Sequence, residues 1–126
     1  MIVGHGVDIV CIEDISRLVD APGEHFVARC FTDSERASIG EEKNKAVRLA
    51  GRFAAKEAVL KALGKGFGGD IGFVDVEILT LPSGAPDVAL HRGAKASADV
   101  LGVRRWFVSI SHDAGMAIAS AIAEGG

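Results

Sequence analysis

The chain has 126 residues, 48% of them hydrophobic, and a formal net charge of −3. This length fits a single domain over residues 1–126, and the composition excludes a wholly disordered chain. The net charge argues against a large basic surface for nucleic acid, but it leaves room for a local phosphate site.

The N-terminal half of the chain predicts one strand followed by helices. Its predicted elements are a strand over 2–10, helices over 13–20 and 24–30, a further helix that ends at Gly40, and a long helix over 43–63. Thr32 and Glu35 have the spacing of a capping box at the start of the third helix. The long segment is rich in Ala, Leu, Lys and Glu and lacks proline, and Gly64 follows it as a favourable C-terminal cap.

The C-terminal half predicts strands interrupted by one helix. Its predicted elements are a glycine-rich loop over 65–72, strands over 73–81, 87–91, 105–111 and 116–123, a helix over 93–101, and a turn over 112–115. Together the two halves indicate an α+β fold, with a mostly antiparallel sheet packed on one long helix.

Neither the cysteines nor the apolar segments indicate export or a membrane. Cys11 and Cys30 form no C-x-x-C pair, so two free thiols in a reducing cytoplasm are expected. The first residues lack a basic segment followed by a long apolar run, so no signal peptide is expected. The most apolar stretch, 116–123, is far shorter than the ~20 residues of a membrane-spanning helix. We therefore expect a soluble, cytoplasmic protein.

Asp8 is a carboxylate within an apolar strand. In Gly6-Val7-Asp8-Ile9 the acid lies among β-branched residues, where an unpaired buried carboxylate costs free energy. Two interpretations follow from this pattern. Asp8 either forms a salt bridge or backbone cap, or it ligates a metal.

The long helix carries two charged pairs, each one turn apart. Glu57 and Lys61 have the spacing of an i,i+4 ion pair, which contributes little at an exposed position. Arg52 and Lys56 carry like charges that repel, so a nearby anion would stabilise them. A solvated basic flank is the alternative interpretation.

Two further motifs have the chemistry to contact phosphate. Residues 64–69 match G-x-G-x-x-G, but they follow a helix and do not join a strand to a helix, which argues against a dinucleotide-binding fold. Backbone N–H groups in such a loop can still bind phosphate. Residues 109–113 contain Ser, His and Asp without the spacing of a hydrolase triad. His112 is therefore either a turn residue or a hydrogen-bond donor to phosphate or adenosine.

Three segments, taken in order, resemble the 4′-phosphopantetheinyl transferase superfamily, specifically its short holo-[acyl-carrier-protein] synthase group. They are Gly6-Val7-Asp8-Ile9, residues 51–64 around Phe53-Ala54-Ala55-Lys56-Glu57-Ala58, and Ser109-Ile110-Ser111-His112. The middle segment is the most specific of the three. The resemblance covers nearly the whole chain, and the length matches the members that consist of one unit.

The resemblance implies transfer of the 4′-phosphopantetheine group from coenzyme A to a serine of apo acyl carrier protein, in fatty acid or polyketide biosynthesis. Asp8 and Glu57 would bind Mg²⁺, or Mn²⁺, as hard oxygen ligands, and Lys61 would contact the pyrophosphate. The remaining phosphates and the adenosine would be held by Arg52, Lys56, Gly64 and His112.

The serine hydroxyl is a weak nucleophile and needs a general base. Glu57, or a water next to it, is the first choice for this base. His112 and Asp113 are the alternatives.

Docking of the carrier protein is where this chain departs from the group. Its members usually carry several arginines in the helix after the first strand, whereas this chain has Arg17 there and Arg29 later. Docking would rely on these two arginines, on apolar contact, or on a further basic cluster. That cluster consists of Lys43, Lys45 and Arg48.

The resemblance also implies a homotrimer with each active site in a cleft between subunits. An apolar interface between subunits would explain the mean hydropathy of +0.28, which is high for so small a chain. Two other functions stay open from the sequence. One is a non-catalytic module that binds coenzyme A or a nucleotide, and the other is an interaction protein whose acidic residues form only salt bridges.

Overall fold

The structure is a computed structural model that describes residues 1–23, 25–40 and 44–126. Its elements are β1 (Ile2–Cys11), α1 (Ile12–Asp20), α2 (Phe26–Cys30), α3 (Asp33–Ile39), α4 (Lys45–Ala62), a 3-10 turn (Phe73–Asp75), β2 (Val76–Thr80), β3 (Pro86–Leu90), α5 (Arg92–Leu101), β4 (Val103–Asp113) and β5 (Met116–Gly125). The α+β class is confirmed. None of the helices in the described ranges has the length and apolar character that a membrane crossing requires.

The strands form two antiparallel sheets. The larger sheet has the order β1-β5-β4, and β2 and β3 form a separate hairpin. Four alanines of β5 alternate along the strand and are buried on the side that packs against α4: Ala117, Ala119, Ala121 and Ala123. The prediction of a sheet on one long helix is therefore confirmed, although the sheet is divided.

Two predicted boundaries are wrong for local reasons. Residues 73–75 form a 3-10 turn instead of the start of a strand, because Asp75 Oδ2 accepts the backbone N–H of Gly72 at 2.9 Å. His112 and Asp113 lie within β4 and pair with β5 instead of forming a turn. The turn consists of Ala114 and Gly115, both with positive φ, as a tight hairpin requires.

Several predicted ends and contacts are confirmed. The capping box at the start of α3 is present, with the Glu35 backbone N–H donating to Thr32 Oγ1 at 3.1 Å. Gly64 follows α4 with a φ of +72°. Cys11 and Cys30 are both free thiols. The predicted start of the long helix at Lys43 lies outside the described residues.

β1 lies directly against α4 through two glycines. A Cβ atom on Gly6 would come within 2.0 Å of the carbonyl oxygen of Ala58, and one on Gly4 would be equally close to that of Ala62. No heavier side chain fits at this distance, so the two glycines fix both the separation and the register of strand and helix. Asp8 follows on the same face of β1.

The opposite face of the larger sheet carries several exposed apolar side chains. Large hydrophobic side chains on that face include Val7 and Ile9 of β1, Phe107 of β4 and Ile118 of β5. Ile9 and Ile118 are direct partners across the two strands. Several exposed apolar side chains on one face of a small protein are typical of an interaction site.

We predict that Gly6→Ala lowers the free energy of unfolding by at least about 1–3 kcal/mol, because the new Cβ overlaps the Ala58 carbonyl and forces β1 away from α4. Urea denaturation measures this value. The control is Gly66→Ala, since Gly66 has open space around its Cβ position and a φ that other residues adopt. Equal unfolding free energies for the two variants would contradict the close approach.

Candidate active site

Asp8 and Lys61 meet at the edge between β1 and α4. The Lys61 ammonium Nζ donates to Asp8 Oδ1 at 2.9 Å and to the Val7 carbonyl oxygen at 3.0 Å. The Lys61 side chain is half exposed and that of Asp8 is mostly buried. The salt bridge expected of Asp8 in its structural interpretation is therefore present, and it brings together two of the predicted site residues.

Glu57 lies in the same neighbourhood, one helical turn before Lys61. Partial burial and the negative charge of Asp8 raise the pKa of Glu57, and Lys61 opposes that shift. Two carboxylates and one lysine are therefore close enough to interact electrostatically. A carboxylate with a raised pKa, next to a second acid, is typical of functional sites.

The donor set fits a hard divalent cation. Within the described ranges no three His, Cys, Asp or Glu residues are grouped so that they could hold a metal ion. A cation at this place would therefore have at most two protein carboxylates, Asp8 and Glu57. Mg²⁺ usually binds one or two carboxylates and fills its other positions with water and substrate phosphate oxygens. Burial and the negative charge of Asp8 both disfavour the ionised form of Glu57 and raise its pKa, and a bound cation would offset both effects.

Arg52 and His112 line a second cleft, on another side of α4. The cleft has a volume of about 280 Å³, and its lining residues are Asn44, Val47, Arg48, Gly51, Arg52, Ile110 and His112. Arg52 Nη2 donates to Thr80 Oγ1 at 2.8 Å, while its buried Nε has no hydrogen-bond partner among the described residues. Burial and the neighbouring Arg48 lower the pKa of Arg52. An anion in this cleft would accept a hydrogen bond from Arg52 Nε, and its negative charge would favour the charged form of Arg52.

Lys56 does not line this cleft, and the prediction that it binds a phosphate is wrong. Its side chain is 0% exposed. Its ammonium donates to Glu35 Oε1 at 2.8 Å and to the carbonyl oxygens of Phe73 and Val76. A lysine has three donors, and all three have protein acceptors. Lys56 is therefore fully buried whereas Arg52 lines a cleft, although the two residues are one turn apart on α4.

Gly64 belongs to yet another cleft. It lies beside Lys65 and faces α5 across a volume of about 380 Å³. On an ideal helix Arg52 and Lys61 point in directions about 180° apart, since nine residues separate them at ~100° each. One copy of the chain therefore presents Lys61 and Arg52 to opposite sides of α4.

The family of the chain follows from comparison with known proteins. A model described as 4′-phosphopantetheinyl transferase superfamily matches residues 4–119. The chain belongs to this superfamily. Holo-[acyl-carrier-protein] synthase from Solibacter usitatus is 40% identical over 124 residues, which cover 98% of this chain and 99% of the relative. The one from Anaeromyxobacter sp. (strain K) is 43% identical over 128 residues, covering 99% and 98%.

Solved structures of the superfamily share the fold. A holo-[acyl-carrier-protein] synthase from Helicobacter pylori in complex with coenzyme A has a TM-score of 0.83 and 37% identity, and the match covers 95% of this chain and 99% of that one. Holo-ACP-synthase from Plasmodium yoelii has a TM-score of 0.85 and 30% identity, with 100% and 97% covered.

The superfamily's helix after the first strand is α1 in this chain, and it presents one arginine. The exposed Arg17 side chain pairs with Glu13 at 2.9 Å and with Asp14 at 3.5 Å, both on the same helix. Arg29, at the end of α2, is also exposed. Both arginines are thus on the surface, and Arg17 already has two acidic neighbours with which a docking partner would compete.

Glu35, near the site, makes a contact that the sequence does not predict. Glu35 was predicted only as part of a capping box, and in the structure one of its oxygens also binds Lys56. The capping motif gave the local role because it depends on residues three apart. The contact with Lys56 spans 21 positions and depends on how α3 packs against α4.

We predict that Glu57→Gln stabilises the metal-free protein at about pH 8, because the folded-state pKa of Glu57 is raised and its ionised form therefore destabilises the folded state. As pH falls through the raised pKa, wild type gains the proton and the difference in melting temperature should close. Glu13→Gln, at an exposed position, controls for the amide substitution. A difference that stays constant with pH, or a less stable Glu57→Gln protein, would contradict the shift. Both proteins are compared at the same concentration.

Proposed function

We propose that this chain transfers the 4′-phosphopantetheine group from coenzyme A to a serine of apo acyl carrier protein and releases adenosine 3′,5′-bisphosphate. The observation that carries the proposal is the group of Asp8, Glu57 and Lys61 where β1 meets α4. The family of the chain and the names of its relatives support the same reaction.

In the proposed reaction the serine oxygen bonds to the phosphorus that carries the pantetheine arm. The bridging P–O bond of the pyrophosphate breaks, and its electron pair goes to the adenosine bisphosphate. Glu57, or a water next to it, takes the serine proton, because Glu57 is a carboxylate within the group that would meet the pyrophosphate. The Lys61 ammonium donates to the pyrophosphate oxygens, either after it separates from Asp8 or while it keeps that hydrogen bond.

Asp8 and Glu57 would together hold Mg²⁺, or Mn²⁺, which when bound supplies positive charge against the pyrophosphate. With the metal in place, Lys61 would be released toward the substrate because Asp8 would have a new positive partner. Positioning and charge stabilisation should provide most of the acceleration, as in other phosphoryl transfers.

We further propose a homotrimer with each active site between two subunits. Arg52 and His112 line one cleft, Gly64 lines another, and Lys61 points away from Arg52. A second copy that brought its Arg52 and His112 opposite the Asp8 group would complete a site for the remaining phosphates and adenosine. The exposed apolar face of the sheet supplies surface for such an assembly.

The proposed carrier-protein contacts are Arg17 and Arg29, with the Lys45 and Arg48 region as a further basic surface. Lys43, the third member of that predicted cluster, lies outside the described residues. An acidic partner gains from such contacts mainly in association rate and orientation. We propose that residues 1–126 form one domain, which acts in the cytoplasm in fatty acid or polyketide biosynthesis and has no nucleic acid or membrane partner.

The proposed reaction is tested by incubating an apo acyl carrier protein with coenzyme A, Mg²⁺ and this protein. Mass spectrometry should show a gain equal to one phosphopantetheine group. Glu57→Gln and Asp8→Asn should each lower kcat by about 10²–10⁴-fold, because each removes a negative oxygen from the reacting centre. Asp99→Asn, which removes an exposed carboxylate of α5, serves as the matched control.

A lack of any mass gain over hours, with carriers from several pathways, would overturn the proposed reaction and favour a module that only binds coenzyme A. Near wild-type turnover of Glu57→Gln under saturating metal would remove Glu57 as base and as essential ligand.

The shared site is tested by mixing two inactive variants, Glu57→Gln and Arg52→Ala, under conditions that exchange subunits. If each site combines residues of two neighbours in a trimer, about a quarter of the sites in an equal mixture are intact and activity returns accordingly. A mixture of Glu57→Gln with Asp8→Asn is the control, because both changes fall on the same side of the site and leave no intact pair. A monomeric mass in solution, or no recovery in the first mixture, would contradict the shared site.

A further inference from the structure

The Lys56 ammonium joins four separate segments of the chain. It extends from α4 and is bound by Glu35 of α3, by the carbonyl oxygen of Phe73 in the 3-10 turn and by that of Val76 at the start of β2. The Phe31 ring lies 5.2 Å from the same nitrogen. No part of the Lys56 side chain is exposed, so it cannot touch a substrate.

Glu35 completes the same cluster. Its Oε1 accepts the backbone N–H of Thr32 at 2.9 Å as well as the Lys56 ammonium. Its Oε2 accepts the backbone N–H of Ile78 in β2, also at 2.9 Å. The carboxylate therefore binds α3, β2 and α4 at once, and it too is 0% exposed. Thr32 Oγ1 extends the network by donating to Glu77 of β2.

Such a cluster has directional requirements that apolar packing lacks. The other buried contacts between α4 and the hairpin involve aliphatic residues such as Val59, Leu60 and Ile78, which tolerate small shifts. The ion pair and its carbonyl acceptors lose their hydrogen bonds when the helix rotates or slides by a fraction of a turn. Lys56, together with the Arg52–Thr80 hydrogen bond one turn earlier, therefore restrains the rotation of α4 relative to the hairpin.

Glu57 is the residue that this fixed rotation affects most directly. It follows Lys56 on α4, about 100° around the helix and ~1.5 Å along it. On the other side, Gly6 lies against the Ala58 carbonyl and fixes β1 with its Asp8. The turn that contains Glu57 is thus held from two directions, by a steric contact with β1 and by a buried ion pair with the hairpin.

We propose that Lys56, paired with Glu35, is a positioning residue that aims Glu57 at Asp8. The inference rests on the proposed function, because it assigns Glu57 to the reacting centre. Burial lowers the pKa of Lys56 and Glu35 opposes the shift, in keeping with a pair whose charges depend on each other. Lys56 therefore acts on the site only indirectly, through the position of Glu57.

The test uses Lys56→Met combined with Glu35→Gln, which removes both charges and leaves none buried without a partner. We expect kcat to fall by about 10- to 100-fold, since small misplacements of reacting groups have effects of that size. The KM values for coenzyme A and the carrier protein should stay within about two-fold, because neither residue contacts substrate. Lys95→Met, which removes an exposed lysine from its ion pair with Asp99, is the matched control and should leave kcat unchanged.

A second readout does not depend on the reaction. Carboxyl ¹³C spectra of glutamate-labelled protein, recorded at one pH, report the surroundings of Glu57 in wild type and in the double variant. Displacement of the Glu57 signal, in a protein with native circular dichroism, is the result expected. An unchanged signal together with an unchanged kcat would overturn the positioning role and leave the pair as a stabilising contact only.

The two readouts separate the hypotheses. If wild type transfers no phosphopantetheine, the proposed function fails, and the Glu57 signal still decides whether Lys56 positions that side chain. If the double variant does not fold, Lys56→Met alone carries both measurements, because the Glu35 carboxylate keeps two backbone N–H donors, from Thr32 and from Ile78. Full kcat and an unmoved signal in that folded variant would likewise contradict the proposal.

Discussion

The contact between β1 and α4 is the constraint on which the rest of this structure depends. Gly6 allows the strand to lie against the Ala58 carbonyl, at a distance that any side chain would prevent. That approach carries Asp8 to within 2.9 Å of Lys61 on the helix. Without this approach Asp8 on β1 and Glu57 on α4 would lie farther apart, and one of the causes that raise the pKa of Glu57 would be lost.

The helix is held on its other side by chemistry of a different kind. A lysine and a glutamate, both without solvent contact, bind backbone groups of the hairpin and of the turn that precedes it. Buried ion pairs are weak evidence for stability, because desolvation offsets their attraction. Their directional hydrogen bonds do specify one arrangement among the many that an apolar interface permits. In this protein the arrangement specified is the one that places Glu57 beside Asp8.

Much of the fold and part of the site could be predicted from local patterns. The long α4, the capping box at Thr32 and the cap at Gly64 depend on residues within a few positions of each other, and all three are present. The limits of the prediction are local in one case and tertiary in the other. Asp75 turns the expected strand start into a 3-10 turn by capping Gly72, and a charged lysine read as part of a basic flank is fully buried.

The sequence by itself determined the elements, the superfamily and the candidate carboxylates Asp8 and Glu57, because periodicity and short motifs depend on neighbours along the chain. Only the tertiary structure decided which charges meet. Arg52 and Lys56 are alike in the sequence, yet one lines a cleft and the other is enclosed by Glu35 and the hairpin. The difference arises because Arg52 reaches Thr80 at the end of β2, whereas Lys56, one turn later on the same face of α4, lies under the 3-10 turn and the start of β2.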